Sequence, residues 1–163
     1  MNLQHAFSIW RPWVDRRTHE RLKLPGIYAI AISDENLSGQ PFDWAPHIVY
    51  FGMTNSLGGL AQRLKQFDSA INGGPGHGGA MRFLPQYPAG SDTLLHRLYV
   101  AVWPFDCDVR SIEPANLLKM GEVLYAEFYC FAEFSKRFSR LPQFNDKKAS
   151  PKIKLPSATK GGG

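Results

Sequence analysis

Residues 25–56 read PGIYAIAISDENLSGQPFDWAPHIVYFGMTNS, two apolar runs separated by a polar loop. The first run, GIYAIAIS, is rich in β-branched residues between Pro25 and Asp34, which predicts a strand. The second run, HIVYFGMT, predicts a returning strand that pairs with the first in antiparallel fashion. Each run places a tyrosine close to a glycine, Tyr28 in GIY and Tyr50 in YFG.

The remaining sequence predicts two helices and a third strand. Apolar residues at helical spacing predict a helix over about 57–71, capped by Asn55 or Ser56 and ended by the glycine-rich NGGPGHGG. LHRLYVAVWPFD predicts the third strand and about 113–138 a long helix, whereas the polar, basic segment 11–23 predicts helix or loop. This order predicts an α+β fold, with a small, mostly antiparallel three-stranded sheet flanked by helices.

Charge is distributed unevenly along the 163 residues. Residues 147–163 contain five lysines and no acid, while residues 1–146 contain 14 basic and 14 acidic side chains. We therefore predict one domain over 1–146 and a basic, disordered tail over 147–163. The tail would either strengthen nonspecific contact with phosphates or act as a solubilising end.

The composition points away from membrane and secreted proteins. A hydrophobic content of 44% is typical of a globular chain, and no apolar run approaches the ~20 residues of a membrane span. Nothing at the N-terminus resembles a signal peptide, and the two cysteines do not form a CxxC pair. We expect a cytoplasmic protein with no membrane partner.

Glu127 occupies an unusual position on the long predicted helix. At 100° per residue it lies in the middle of the most apolar stripe, between Met120 and Phe134, whereas Glu122 lies on the wetter face. An ionised carboxylate is costly to bury without a partner. Glu127 is therefore either a structural residue, in a buried salt bridge or at a wet edge, or a functional carboxylate that binds a metal or lines a cleft.

Arg63 lies on the shoulder of the apolar stripe of the first predicted helix. One reading is an arginine that extends along the rim of the core with its charge in water. The other is a guanidinium that holds a phosphate. Two tyrosines, this arginine and Glu127 would form a phosphodiester cleavage site if they converged.

These residues, in this order, resemble the GIY-YIG nuclease family. The resemblance spans residues 24–145 and includes GIY at 26–28, YFG at 50–52, Arg63, Glu127 and Asn145. The family includes homing endonucleases, restriction enzymes and the incision subunit of bacterial nucleotide-excision repair, so the resemblance implies a role in DNA repair or restriction.

The resemblance implies an endonuclease that hydrolyses DNA with Mg²⁺, or another divalent cation such as Mn²⁺, held by Glu127. Arg63 would stabilise the pentavalent phosphorane, Tyr28 would activate water or relay its proton, and Tyr50 would orient water or phosphate. Asn145 would complete the wall of the site. The alternative is a catalytically silent scaffold that serves as a nucleic-acid or protein binding module.

The sequence departs from the family pattern at two positions. Met53 follows the second motif, where a basic residue is common, and Phe67 stands four residues after Arg63, where histidine or tyrosine is common. Phe67 has no proton to exchange. His77, in the glycine-rich loop, either substitutes for that group or is a solvated loop histidine.

Overall fold

Four strands form one antiparallel sheet in a computed structural model that describes residues 6–145. The strands are β1 (Arg11–Pro12), β2 (Gly26–Ile32), β3 (Ile48–Thr54) and β4 (Leu98–Pro104), and their order across the sheet is β1-β4-β2-β3. The predicted pairing of the first two runs is confirmed, since β2 and β3 are antiparallel neighbours. The predicted tail, 147–163, lies outside the described residues.

The prediction of three strands was one strand short. β1 comes from the segment expected to be helix or loop, and it pairs with β4 through Arg11 opposite Val100 and Pro12 opposite Tyr99. A proline is tolerated here because β1 is an edge strand, and two residues are too few for an alternating pattern. A 3-10 helix, Trp13–Thr18, follows directly.

Within the described residues three α-helices accompany the sheet: α1 (Gly59–Ile71), the single-turn α2 (Asp92–Leu95) and α3 (Pro114–Phe138), with a second 3-10 helix at Ala80–Phe83. The two predicted helices correspond to α1 and α3. No helix within residues 6–145 combines the length and hydropathy that crossing a membrane requires.

The predicted side-chain cap of α1 was wrong. The helix begins at Gly59, which has a φ of +59°, and no side chain caps it. Instead the amides of Leu60 and Ala61 donate to the carbonyls of Leu24 and Leu22, at 2.9 and 2.7 Å. The loop before β2 thus supplies the acceptors that Asn55 or Ser56 was expected to supply.

The sheet separates two hydrophobic layers. Tyr28 and Tyr50 belong to the layer beneath α1, and Ile27 and Phe51 to the layer beneath α3. All seven residues of β2 are buried, because both faces of this central strand are covered. β3 is an edge strand, and α1 and α3 pack against it from opposite faces of the sheet.

Candidate active site

The two motif tyrosines lie side by side on the α1 face of the sheet. Tyr28 pairs with Gly52 across β2 and β3, and Tyr50 pairs with Ile30 two residues further along β2, which puts both tyrosines on the same face. The ring centroids are 5.9 Å apart. Tyr28 is 0% exposed and Tyr50 is 6% exposed, so both phenols are held within the protein.

The glycines of the two motifs make room for this arrangement. A Cβ on Gly52 would collide with the ring and hydroxyl of Tyr28. A Cβ on Gly26 would collide with the backbone carbonyl of Trp103 on β4. The tyrosine–glycine pattern in both runs therefore reflects close cross-strand packing as well as any chemistry.

His77 is buried and forms a hydrogen bond with Tyr28. Its Nδ1 accepts from the backbone amides of Gly79 and Ala80, at 3.0 and 3.3 Å. The neutral ring must then carry its hydrogen on Nε2, which donates to the Tyr28 hydroxyl at 2.9 Å. Burial, and after it the charge of Arg63, lowers the pKa of His77 to about 4, so the ring is neutral at pH 7. The solvated-loop reading of His77 was wrong.

Phe67 fills the space between these rings. It is fully buried on α1, with its centroid 6.2 Å from Tyr28 and 5.8 Å from both Tyr50 and His77. The histidine thus lies beside the position where the sequence lacks a proton-exchanging group. Phe67 and His77 together exclude water from the two phenols.

Both phenols keep their protons at neutral pH. Burial raises the pKa of Tyr28 well above its ordinary value, and Tyr50 raises it further while Arg63 opposes the shift. Burial also raises the pKa of Tyr50, and the hydrogen bond from Tyr28 opposes this shift; the charge of Glu127 adds to the rise and that of Arg63 opposes it. Tyr28 therefore accepts from His77 and donates its own hydrogen to the hydroxyl of Tyr50.

Arg63 is half-buried on α1 with little to hold its guanidinium. Its Nε is buried and has no hydrogen-bond partner among residues 6–145. Its Nη1 reaches Gln66 Oε1 only at 3.5 Å, the limit of a hydrogen bond. A buried donor without a hydrogen-bond acceptor destabilises the folded protein, because it has lost its bonds to water. An anion that bound here would supply the missing acceptor.

Glu127 lies on the shoulder of the buried face of α3. Burial raises the pKa of its carboxyl from 4.5 to about 7, and the charge of Arg63 opposes that shift. Within residues 6–145 the carboxylate makes no hydrogen bond or ion pair. Glu122, by contrast, lies on the wetter face of the helix as expected: it is exposed and forms an ion pair with Lys119 at 2.6 Å.

The sequence placed Glu127 too centrally. The buried residues of α3 centre about 55° from Glu127 on the helical wheel. They are Val123, Ala126, Cys130 and Phe134. The apolar stripe of α3 is wider than the part of the helix that packs on the sheet. The other part of the stripe, which includes Leu124 and Phe128, is exposed.

Asn145 closes the free edge of β3. Its Nδ2 donates to the carbonyl of Phe51 at 2.8 Å, and its Oδ1 accepts from the Phe51 amide at 2.9 Å. The next bond along comes from the amide of Phe144 to the carbonyl of Val49. Asn145 thus bonds the backbone of the residue that follows Tyr50 in β3. Both the oxygen and the nitrogen of its side-chain amide are used in these bonds.

Arg82 is a site residue that the sequence did not reveal. It lies in the second 3-10 helix, where Nη1 donates to the carbonyl of Phe144 at 3.0 Å. Its charge contributes, after larger causes, to the lowered pKa of His77 and opposes the raised pKa of Tyr50. A 3-10 helix of four residues is too short to carry a periodic signal that would have identified it.

A metal at this site would have a single protein carboxylate. No three His, Cys, Asp or Glu side chains come together as ligands in the part of the chain that the structure describes. Mg²⁺ often keeps several waters and binds one or two carboxylates plus substrate phosphate. The unpaired, half-buried Glu127 fits that kind of site.

Comparison with known proteins adds no relative. No family model matches the chain, and neither a curated protein nor a solved structure matches it significantly. Function is therefore inferred from the cluster of Tyr28, Tyr50, His77, Arg63 and Glu127.

Proposed function

We propose that this chain is a GIY-YIG-type endonuclease that hydrolyses DNA phosphodiester bonds with a divalent cation. One observation carries the proposal: two buried phenols, one of them held by His77, share an electrostatic environment with Arg63 and Glu127. An under-satisfied guanidinium beside hydrogen-bond donors suits a phosphate whose charge increases in the transition state. An unpaired carboxylate suits a cation.

Each side chain has a role that follows from its contacts. Arg63 binds the scissile phosphate and offsets the charge that develops on it. Tyr28, oriented by the His77 Nε2–H, would donate its hydrogen to a phosphate oxygen or to the attacking water once the 77–80 segment has moved away from its buried hydroxyl. Because its pKa is raised in the free protein, Tyr28 acts as a hydrogen-bond donor rather than as a base until a cation approaches.

Glu127 would hold Mg²⁺ or Mn²⁺. When bound, such an ion supplies Lewis-acid stabilisation of the phosphate and lowers the pKa of a coordinated water. Glu127 must be deprotonated to bind it, and its pKa of about 7 makes cation affinity weaken as the pH falls below neutrality.

A basic cleft on the other flank of α1 supports a DNA partner. A cavity of about 880 Å³ is lined by five cationic side chains and no acid: Arg16, Arg17, Arg21, Lys23 and Lys65. Arg17, Lys23 and Lys65 make no ion pair within residues 6–145. Lys65 lies about 200° around α1 from Arg63, so the cleft and the phenols flank the same helix. Free cations in a cleft bind a phosphate backbone without reading its sequence.

The silent binding module is the second candidate, and the burial of the phenols favours it. Tyr28 is closed in by Phe67 and by the 77–80 segment, as a structural core tyrosine would be. In that case the basic cleft would bind nucleic acid without cleavage.

A nicking assay separates the two candidates. Supercoiled plasmid and branched DNA are incubated with the protein in Mg²⁺, in Mn²⁺ and in EDTA, and binding is followed in parallel by gel shift. The nuclease predicts metal-dependent nicks in at least one substrate. Binding with no cleavage under any cation would support the silent module instead.

A further inference from the structure

One face of α3 is apolar and uncovered. Between about −20° and 140° from Leu124 on the helical wheel, residues 114–135 contain no charged side chain. Five large apolar side chains on this face are 51–71% exposed: Leu117, Leu118, Leu124, Tyr125 and Phe128. Scattered exposed leucines are common, but a contiguous row of this size usually marks an interaction surface.

The area of this face suits a dimer. From the exposed fractions, the five side chains present roughly 600 Å² per molecule, against about 800 Å² per partner in a standard protein interface. Rim residues of α3 would supply the remainder. The face is thus large enough for a stable association of two chains.

The residues of this face are spaced so that two copies of α3 in antiparallel orientation can pack against each other. Leu117, Gly121, Leu124 and Phe128 follow 4-3-4 spacing, which places them in one row along the helix. When a second α3 is laid antiparallel over this row, Leu124 of each chain meets Gly121 of the other, and Leu117 meets Phe128. A Cβ added to Gly121 would meet nothing within 4 Å, so this position is open to a neighbour.

We infer that two copies of this chain associate through α3 in an antiparallel, twofold-symmetric dimer centred between Gly121 and Leu124. A twofold interface requires a self-complementary surface, and the row of a large residue, a small residue and two large residues provides one. Glu127 lies about 60° from Leu124 at the border of this face, so the two candidate sites flank one interface. The dimer does not depend on the proposed nuclease activity.

Sedimentation equilibrium of the full chain tests the inference. The chain has a mass of 18.3 kDa, and we expect the wild type to sediment with twice that mass at micromolar concentration. Leu124→Glu and Phe128→Glu should each weaken dimerisation at least a hundredfold. Val14→Glu, at an exposed apolar residue of the first 3-10 helix, is the matched control and should leave the dimer intact.

Gly121→Leu distinguishes a broken interface from a broken fold. The added side chain meets open space in the monomer and replaces glycine by a better helix former, so the monomer should keep or raise its Tm. In the dimer it would meet Leu124 of the other chain and should weaken association at least tenfold. A monomeric wild type, or a dimer that survives both glutamate substitutions with an unchanged dissociation constant, would overturn the inference.

Discussion

Glu127→Gln is the substitution whose effect on stability the structure defines most clearly. Burial is the main cause that raises the pKa of the carboxyl from 4.5 to about 7, so its ionisation opposes folding at higher pH. The full shift corresponds to about 3 kcal/mol, because one pKa unit is about 1.4 kcal/mol. Partial exposure and solvent screening reduce this to about 1–2 kcal/mol. In EDTA at pH 8 we expect the glutamine variant to be more stable by that amount, about 2–8 °C in Tm.

The stability gain should depend on pH in one direction. Between pH 4.5 and 7 the folded wild type retains a proton that the unfolded chain releases, so its stability falls as the pH rises through this window. Below about pH 4.5 both states are protonated, and wild type and variant should melt together. A Glu127→Gln protein that is less stable than the wild type at pH 8, or whose stability advantage grows as the pH falls, would show that burial does not disfavour ionised Glu127.

Glu122→Gln is the control on the same helix. Glu122 is exposed and its ion pair with Lys119 is a surface pair, worth about 0–1 kcal/mol. The control should therefore show little change in Tm at either pH and keep full nicking activity. Glu127→Gln should abolish metal-dependent cleavage while remaining folded.

Three further predictions concern the packing and charge of the site. Gly52→Ala should lower the free energy of unfolding, measured with urea, by about 1–3 kcal/mol, because the added methyl group collides with Tyr28. Gly78→Ala is the control: its methyl group meets open space and should change the free energy of unfolding by no more than about 0.5 kcal/mol. Asn145→Ala should cost about 1–3 kcal/mol in the same assay, because it leaves a backbone donor and acceptor of the β3 edge unpaired. Arg63→Ala should lower the rate of single-turnover cleavage roughly a hundredfold or more. The Tm should change little, since within residues 6–145 the guanidinium makes only one weak hydrogen bond. A large drop in Tm with a proportionate loss of activity would instead indicate a structural arginine.

The main elements of the fold could be predicted from local patterns. The runs around Tyr28 and Tyr50 predicted β2 and β3 because β-branched residues and flanking turn formers act locally. β1 could not be predicted, because two residues ending in proline form a strand only through their pairing with β4. The cap of α1 was mispredicted for a similar reason, since the first helical amides are satisfied by carbonyls of residues 22 and 24, which are distant in sequence.

The candidate site could be predicted less completely. Helical periodicity detects an apolar stripe but does not tell its buried half from its exposed half, which is why Glu127 was placed at the centre rather than on the shoulder. His77 and Arg82 come from glycine-rich loop and 3-10 segments that carry no periodicity, so their contacts depend on tertiary packing. The nuclease roles come from the family resemblance and stay predictions.

Single-turnover cleavage by Tyr28→Phe tests whether the buried phenol takes part in DNA hydrolysis. This variant removes one hydroxyl from the buried cluster, and Tyr99→Phe removes one from a buried strand tyrosine in the opposite layer of the same sheet. We expect wild type and Tyr99→Phe to cleave the DNA substrate in Mg²⁺ at similar rates. We expect Tyr28→Phe to be slower by about a hundredfold or more at an equal folded fraction. Cleavage by Tyr28→Phe at the wild-type rate, or no metal-dependent cleavage by the wild type, would contradict a nuclease site built on Tyr28.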